Sequence, residues 1–226
     1  VANVPDYGTD EVAMQTVALA LAVARRIPLH DAEVRAGRWS TGVLAPMHRL
    51  RGGTLGLVGY GRIARRVHEM LGGFGFARVL VHDPGHTMPG GVEAASLDEV
   101  CRHADLLSLH APLKPETRHV VDARRLALMK PTAIVVNTAR GGLVDLDALA
   151  TALAEGRLLG AGLDVFEPEP PDPVHPLFTQ RGAVVTNHIG WYSEQSMRDL
   201  QRMAAEEAVR VLRGETPRHW LNPWTN

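Results

Sequence analysis

Short apolar runs alternate along this chain with stretches of helical period, and that alternation limits the possible folds more than any other feature. The runs cover residues 54–58, 77–82, 106–109, 132–137, 160–166 and 183–186. Helical stretches fall between them. One spans 62–71, one opens at the capping-box spacing Ser96 to Glu99, one runs from a cap at Asp122 through Met129, and one covers 145–155 before Gly156. Strands that all point the same way need a crossover, usually a helix and almost always right-handed. Runs such as Ile134-Val135-Val136 are apolar throughout, as expected of strands covered on both faces. The pattern predicts class α/β, a doubly wound parallel sheet of the Rossmann type. From Ser193 a long amphipathic helix follows, with Met197, Leu200, Met203, Ala204, Ala208, Val211 and Leu212 repeating near 3.6, up to Gly214.

At 226 residues the chain makes one large domain, or one and a half small ones. A formal charge of −1 without a basic block argues against bulk electrostatic binding to nucleic acid or a membrane surface. The single cysteine, Cys101, excludes a disulfide framework and a cysteine zinc site, and fits a reducing, cytoplasmic setting. The longest apolar run, 12–24, is interrupted by Gln15 and Thr16 and falls short of the roughly 20 residues that span a bilayer. Its helix is apolar on nearly every face, so burial all round is expected. A central core helix and a helix shared with a second subunit both satisfy that. Residues 37–53 read as a connector.

Gly59-Tyr60-Gly61-Arg62-Ile63-Ala64 is a GxGxxA turn between a strand and a helix. Gly59 permits the tight turn, Gly61 lets the backbone approach a pyrophosphate, and Ala64 lets helix and strand pack closely. The helix start supplies free N–H groups and a positive dipole end. The motif alone is weak; its placement gives it weight. The next strand ends in Asp83, where a carboxylate accepts both ribose hydroxyls and repels a 2′-phosphate, favouring NAD over NADP. A turn aspartate ahead of Pro84 is the plainer alternative.

In open α/β sheets ligands sit beyond the carboxyl ends of the strands. There the sequence places His110 and Pro112, Thr138 and Arg140, Asp164, Glu167 and Glu169, then Asn187 and His188. Arginine grips a carboxylate with two prongs, histidine moves protons near neutral pH, and a carboxylate beside that histidine fixes its tautomer. His82 and His86 have metal-like spacing, but Asp83-Pro84-Gly85 between them prevents a helix, so no metal site is expected. Cys101 reads as a small buried residue, and Ser193 as a helix cap.

The segments GLVGYGRIARRV, HAPLKPETRHVV, VVNTARGGLVD, GAGLDVFEPEP and TNHIG, in that order and spacing, resemble the D-isomer-specific 2-hydroxyacid dehydrogenases. The resemblance runs from Asn3 to about Pro223. It implies catalytic Arg140, Glu169 and His188, with Glu167 the near miss. It implies cofactor contacts at Gly59, Gly61, Arg62, Ile63, Asp83, His110, Pro112, Thr117, Thr138, Asp164 and Gly190. NHIGWYSEQSM is most similar to the corepressor branch and its bacterial relatives, where a tryptophan follows the histidine. Trp191 then either lines the substrate pocket or packs against the last helix. Also implied are NAD as cofactor, a small 2-oxo or 2-hydroxy acid as substrate, and a homodimer built on a helix at 11–27. Residues 1–192 correspond to the dinucleotide-binding domain, and 193–226 to a C-terminal helix and a segment returning to the substrate domain.

Three departures stand out. Asn187 replaces the usual proline before the histidine, and Ala64 replaces the third glycine of the turn. The family's substrate domain has a first part preceding Asn3-Val4-Pro5, with no counterpart in these residues. The expected activity is hydride transfer between NAD(H) and a D-2-hydroxy acid. The alternative from another class is a module that senses NAD(H) or presents a corepressor-like surface without turnover.

Overall fold

The computed structural model of the chain describes residues 1–40 and 46–221. Parts of the expected connector and return segment, residues 41–45 and 222–226, lie outside the described residues. Seven strands form one sheet: β1 (Thr54–Val58), β2 (Arg78–His82), β3 (Glu93–Ala94), β4 (Leu106–Leu109), β5 (Ile134–Asn137), β6 (Gly160–Leu163) and β7 (Ala183–Val185). All pairings are parallel, in the order β3-β2-β1-β4-β5-β6-β7. The chain winds outward from β1 to β3, then returns to the other side of β1 at β4, so the sheet is doubly wound as the sequence predicts. Among the described residues seven α-helices accompany it: α1 (Thr9–Ala24), α2 (Ile27–Arg35), α3 (Arg62–Leu71), α4 (Leu97–His103), α5 (Ala123–Leu128), α6 (Leu146–Ala154) and α7 (Glu194–Leu212).

The sheet separates two apolar layers. Leu107, Leu109 and Val135 face α4, α5 and α6 with Val100, Leu126 and Leu149; Leu106, Ile134 and Val136 face α1 and α3 with Leu19, Val23 and Val67. This two-sided burial explains the uninterrupted apolar runs. Ser96 forms a capping box with Glu99, and the Asp122, Asp145 and Ser193 side chains each accept from a first-turn amide of the helix they open.

The register fixes what lies at the strand ends. Val58 stands opposite both His82 and Leu109, Asn137 opposite Leu109 and Leu163, and Leu163 opposite Val185. The residues that follow therefore come level in one row: Asp83, Gly59, His110, Thr138, Asp164 and Thr186.

Three expectations need correction. The 12–24 helix is buried on one face only, through Ala13, Thr16, Leu19, Ala20, Val23 and Ala24. Met14 is 59% exposed, because α1 forms an outer layer and none of the described residues covers its far side. The strands expected at 132–137 and 160–166 are shorter, and the second ends at Leu163, with the Asp164 N–H still donating to the Asn137 carbonyl at 3.0 Å. Residues 27–35 form α2, a helix without a side-chain cap and without a buried residue.

Of α7 only Ser196 is buried, and Val209, Val211 and Leu212 are exposed. The two ends of the described chain meet: Ala2 bridges Trp220 in antiparallel sense, and the Leu221 N–H donates to the Val1 carbonyl at 3.0 Å. Among the described residues no single helix is long and apolar enough to cross a membrane, and no cluster of His, Cys, Asp and Glu could hold a metal ion.

Candidate active site

The turn after β1 is built for an anion. Gly59 has φ +88°, and a Cβ there would stand 2.8 Å from the Ala111 nitrogen, so only glycine fits. Gly61 is the opposite case: an added Cβ meets nothing within 4 Å, so the backbone at the start of α3 faces open space. No side chain caps α3, which leaves its first amides available. Ala64 is fully buried at the helix–sheet contact. An uncapped helix start under an open cradle fits the pyrophosphate of a dinucleotide. Arg62 stands at the mouth of the cradle, where its Nε lies 2.9 Å from the Asp6 carboxylate.

Asp83 follows β2. Its Oδ2 accepts from the Tyr60 N–H at 2.7 Å and lies 2.9 Å from His86 Nδ1; its Oδ1 accepts from the Gly85 N–H at 2.9 Å. Burial pushes this carboxyl up, but the bonds from His86, Tyr60 and Gly85 outweigh it and hold the group below the ordinary aspartate value.

The segment after β4 rests on the turn through the His110 N–H, which donates to the Val58 carbonyl at 2.7 Å. His110 Nε2 lies 2.9 Å from the Ser108 hydroxyl, and burial pushes the imidazole down to about 4, so it is neutral at physiological pH. The Thr117 hydroxyl donates to the Pro112 carbonyl at 2.7 Å, and accepts from the Lys114 N–H at 2.8 Å, bracing the loop that carries Pro112. Thr138, after β5, places its hydroxyl 2.7 Å from that of Thr16. Thr16 has one proton and donates it to the Val12 carbonyl at 2.8 Å, so Thr138 must be the donor of the pair. Its remaining lone pairs are left to accept from a ligand.

His188, Glu169 and Arg140 come from three separate strand ends. His188 Nδ1 lies 2.7 Å from Glu169 Oε2, while Glu169 Oε1 accepts from the Phe166 N–H at 2.9 Å. Burial pushes the Glu169 carboxyl up; the His188 and Phe166 bonds and the nearby charges of His188 and Arg140 bring it below the usual glutamate value. Glu167 turns away to Arg118, with 2.9 Å between them. The exposed Arg140 donates to the Ala139 carbonyl.

Asp164 holds the turn that presents His188. Its carbonyl accepts from the His188 N–H at 2.7 Å, Oδ1 accepts from the Thr186 hydroxyl and from the Ile189 N–H at 3.0 Å, and Oδ2 accepts from the Gly190 N–H at 2.8 Å. The clamp keeps His188 at φ +57°, a conformation that a non-glycine residue adopts only when its surroundings enforce it.

A cleft of about 870 Å³ gathers Arg62, Ile63, His110, Pro112, Thr138, Arg140, Asp164, His188 and Trp191. Glu169 lies behind His188 in a neighbouring, largely apolar cleft of about 580 Å³, with Phe166, Pro170 and Phe178. Gly59, Gly61, Asp83, Thr117 and Gly190 are not in the large cleft's lining. Trp191 lines the cleft and packs edge-on against Tyr7, ring centroids 6.2 Å apart, while its carbonyl accepts from the Ser196 hydroxyl of α7 at 2.7 Å. Cys101 is buried, with burial raising its thiol to about 11.

Three contributors escaped the sequence reading. Tyr7 lines the cleft from the N-terminal segment, Asp6 beside it pairs with Arg62, and Gln15 donates from α1 to the Thr186 hydroxyl at 3.0 Å. With Thr16 beside it, Gln15 joins α1 to the segments of both Arg140 and His188. The signal was two polar residues inside an otherwise apolar run.

Comparison with known proteins agrees with this geometry. A sequence model for the NAD-binding domain of D-isomer-specific 2-hydroxyacid dehydrogenases matches residues 17–190. The chain is 41% identical to a glyoxylate reductase of Aeropyrum pernix, over 98% of its own length and 69% of that protein. It is 40% identical to a D-3-phosphoglycerate dehydrogenase of Methanocaldococcus jannaschii, where the match covers 98% of this chain but 43% of the relative. The crystal structure of D-lactate dehydrogenase with NAD+ from Lactobacillus jensenii superposes with a TM-score of 0.89 at 27% identity, covering 99% of this chain and 72% of that one. A dinucleotide cradle, a row of polar strand ends and a matched family domain lead to one assignment: the chain belongs to the D-isomer-specific 2-hydroxyacid dehydrogenases and comprises their NAD-binding domain.

Proposed function

We propose that this chain carries the cofactor site and proton donor of an enzyme that interconverts a small 2-oxo acid and its D-2-hydroxy acid. The observation that carries the reading is the 2.7 Å contact of His188 with Glu169 where Arg140 enters the same cleft. The nicotinamide cofactor, when bound, supplies the hydride for reduction and takes it back for oxidation. Gly61, Arg62 and the first amides of α3 would hold its pyrophosphate, Asp83 its adenine ribose, and Thr138 would offer an acceptor near its nicotinamide end. Asp83 favours NAD over a 2′-phosphorylated dinucleotide.

Arg140 pairs with the substrate carboxylate through two guanidinium N–H groups, and its charge favours the negative charge growing on the carbonyl oxygen. His188 donates its Nε2 proton to that oxygen in reduction and recovers it in oxidation. Glu169 holds the Nδ1 side, which fixes the orientation of the ring and favours the imidazolium.

An assay of NADH oxidation with glyoxylate, pyruvate and hydroxypyruvate tests this. His188→Ala should lower turnover by about 10²–10⁴-fold with NADH affinity little changed. Full turnover in that variant would overturn the assignment, while wild-type binding without turnover would favour a sensing module.

The same reading includes a homodimer through residues 11–27. Its support is the outward face of α1 with Met14 exposed. Size-exclusion chromatography over a range of concentrations tests it, and a strict monomer would remove it. Residues 193–226 are proposed to belong with a substrate domain, supported by how little of α7 is buried.

A further inference from the structure

The contact between Asp83 and His86 carries a consequence for cofactor choice, one that rests on the reading of Asp83 as the ribose-facing group. Asp83 is well covered, with 12% of its side chain exposed, whereas His86 is 53% exposed and lies on the open side of the pair. The Tyr60 and Gly85 amides hold the carboxylate from the protein side. The other nearby imidazole, His82, is turned toward the Ala95 carbonyl at 3.2 Å. Among the described residues, His86 is the basic side chain within ion-pair distance of Asp83.

A bare carboxylate at this position repels a 2′-phosphate. Histidine is the side chain whose charge changes between about pH 5 and 8. With His86 neutral, Nδ1–H donates to Asp83 and the pair carries one negative charge. With His86 protonated the pair is neutral overall, and the second ring N–H becomes a donor to an incoming anion. We infer that His86 is a specificity-determining residue. It makes exclusion of 2′-phosphorylated dinucleotides strict when neutral and lax when protonated, while the diol of the unphosphorylated cofactor is accepted in both states.

The test is a fluorescence titration of the intact chain with NADH and with NADPH at about pH 8 and about pH 6. Wild type is compared with His86→Gln and His86→Lys, exposed substitutions that leave the turn amides on Asp83 in place. The 2′-phosphate takes up a proton of its own near pH 6. His86→Gln carries that contribution alone, so the difference between the two series belongs to His86. The NADPH-to-NADH ratio of Kd should fall about tenfold from the higher to the lower pH in wild type, the scale of cancelling one charge near the surface. It should fall much less in His86→Gln, and be low at both pH values in His86→Lys. An equal fall in wild type and His86→Gln, or a His86→Lys ratio matching wild type at the higher pH, would overturn the inference. Failure of wild type to bind NADH would overturn the cofactor-site reading itself. NADH binding that weakens in Asp83→Ala, with a ratio indifferent to residue 86, would overturn the role of His86 alone.

Discussion

The Thr16 hydroxyl donates along its own helix to Val12 and accepts from Thr138, 122 residues further on, at 2.7 Å. Both threonines are buried, so α1 meets the Arg140 segment through a polar contact inside the protein. Thr16→Val keeps the shape but removes the acceptor, leaving the Thr138 hydroxyl free to rotate. The variant loses both bonds of the Thr16 hydroxyl, but the Val12 carbonyl lies within the helix, so the cost rests mainly on the buried Thr138 hydroxyl and should be about 1–2 kcal/mol, or a Tm lower by roughly 2–8 °C at this size. Urea unfolding should show that loss. NADH titration should show weaker binding, since Thr138 no longer presents its lone pairs in a fixed direction.

Gly59 and Gly61 should separate folding from binding. Gly61→Val adds a side chain where the protein has none within reach, so thermal unfolding should change little while NADH affinity falls more than about tenfold. Gly59→Ala forces a Cβ into the left-handed region and against the Ala111 nitrogen, so it should lower stability by about 2 kcal/mol or more. Differential scanning calorimetry beside a cofactor titration distinguishes the two.

Asp164→Asn should disable presentation of His188. The new amide nitrogen faces either the Gly190 N–H or the Thr186 and Ile189 donors, so at least one donor loses its acceptor. The cost should be about 2–3 kcal/mol, typical of a hydrogen bond to a charged group. Limited proteolysis should find the 186–190 turn more accessible.

Acid should unfold the protein partly through Asp83 and Glu169. Burial raises both, but their hydrogen bonds leave each below its ordinary value of 3.8 or 4.5. A carboxyl lowered on folding adds stability that is full above its unfolded value and is lost as pH falls through the folded one. Urea midpoints should therefore be level in this respect down to about pH 5 and decline below it. Asp83→Asn should flatten that decline more than Glu169→Gln, because Glu169 is 38% exposed and more strongly screened.

The sequence was most informative where the cause was local. The strands β1 and β4 and the helix α3 were legible to the residue, because apolar runs, caps and glycines are written side by side. The contact of His188 with Glu169, and the entry of Arg140 into the cleft that holds His188, follow motifs quoted from the sequence, since each of the three residues sits in one. The α2 helix was missed because Arg26, which opens it at φ +51°, is not a capping residue and no side chain caps the first turn. The roles of Gln15 and Thr16 were hidden for another reason. Their partners lie 171 and 122 residues away, and no window along the chain brings such pairs together. Of the two readings of α1, the central core helix fails on the exposed Met14, because periodicity records where apolar residues stand and not which layer covers them; the shared helix is the one proposed above.

The turn that carries His188 is fastened from beneath by Asp164 and from the side, through Thr186, by Gln15. None of those fastenings involves Tyr7, Leu113 or Trp191 on the outer wall of the cleft. The rim can thus be rewritten one residue at a time, for a longer, bulkier or more charged guest, without disturbing the His188–Glu169 contact behind it.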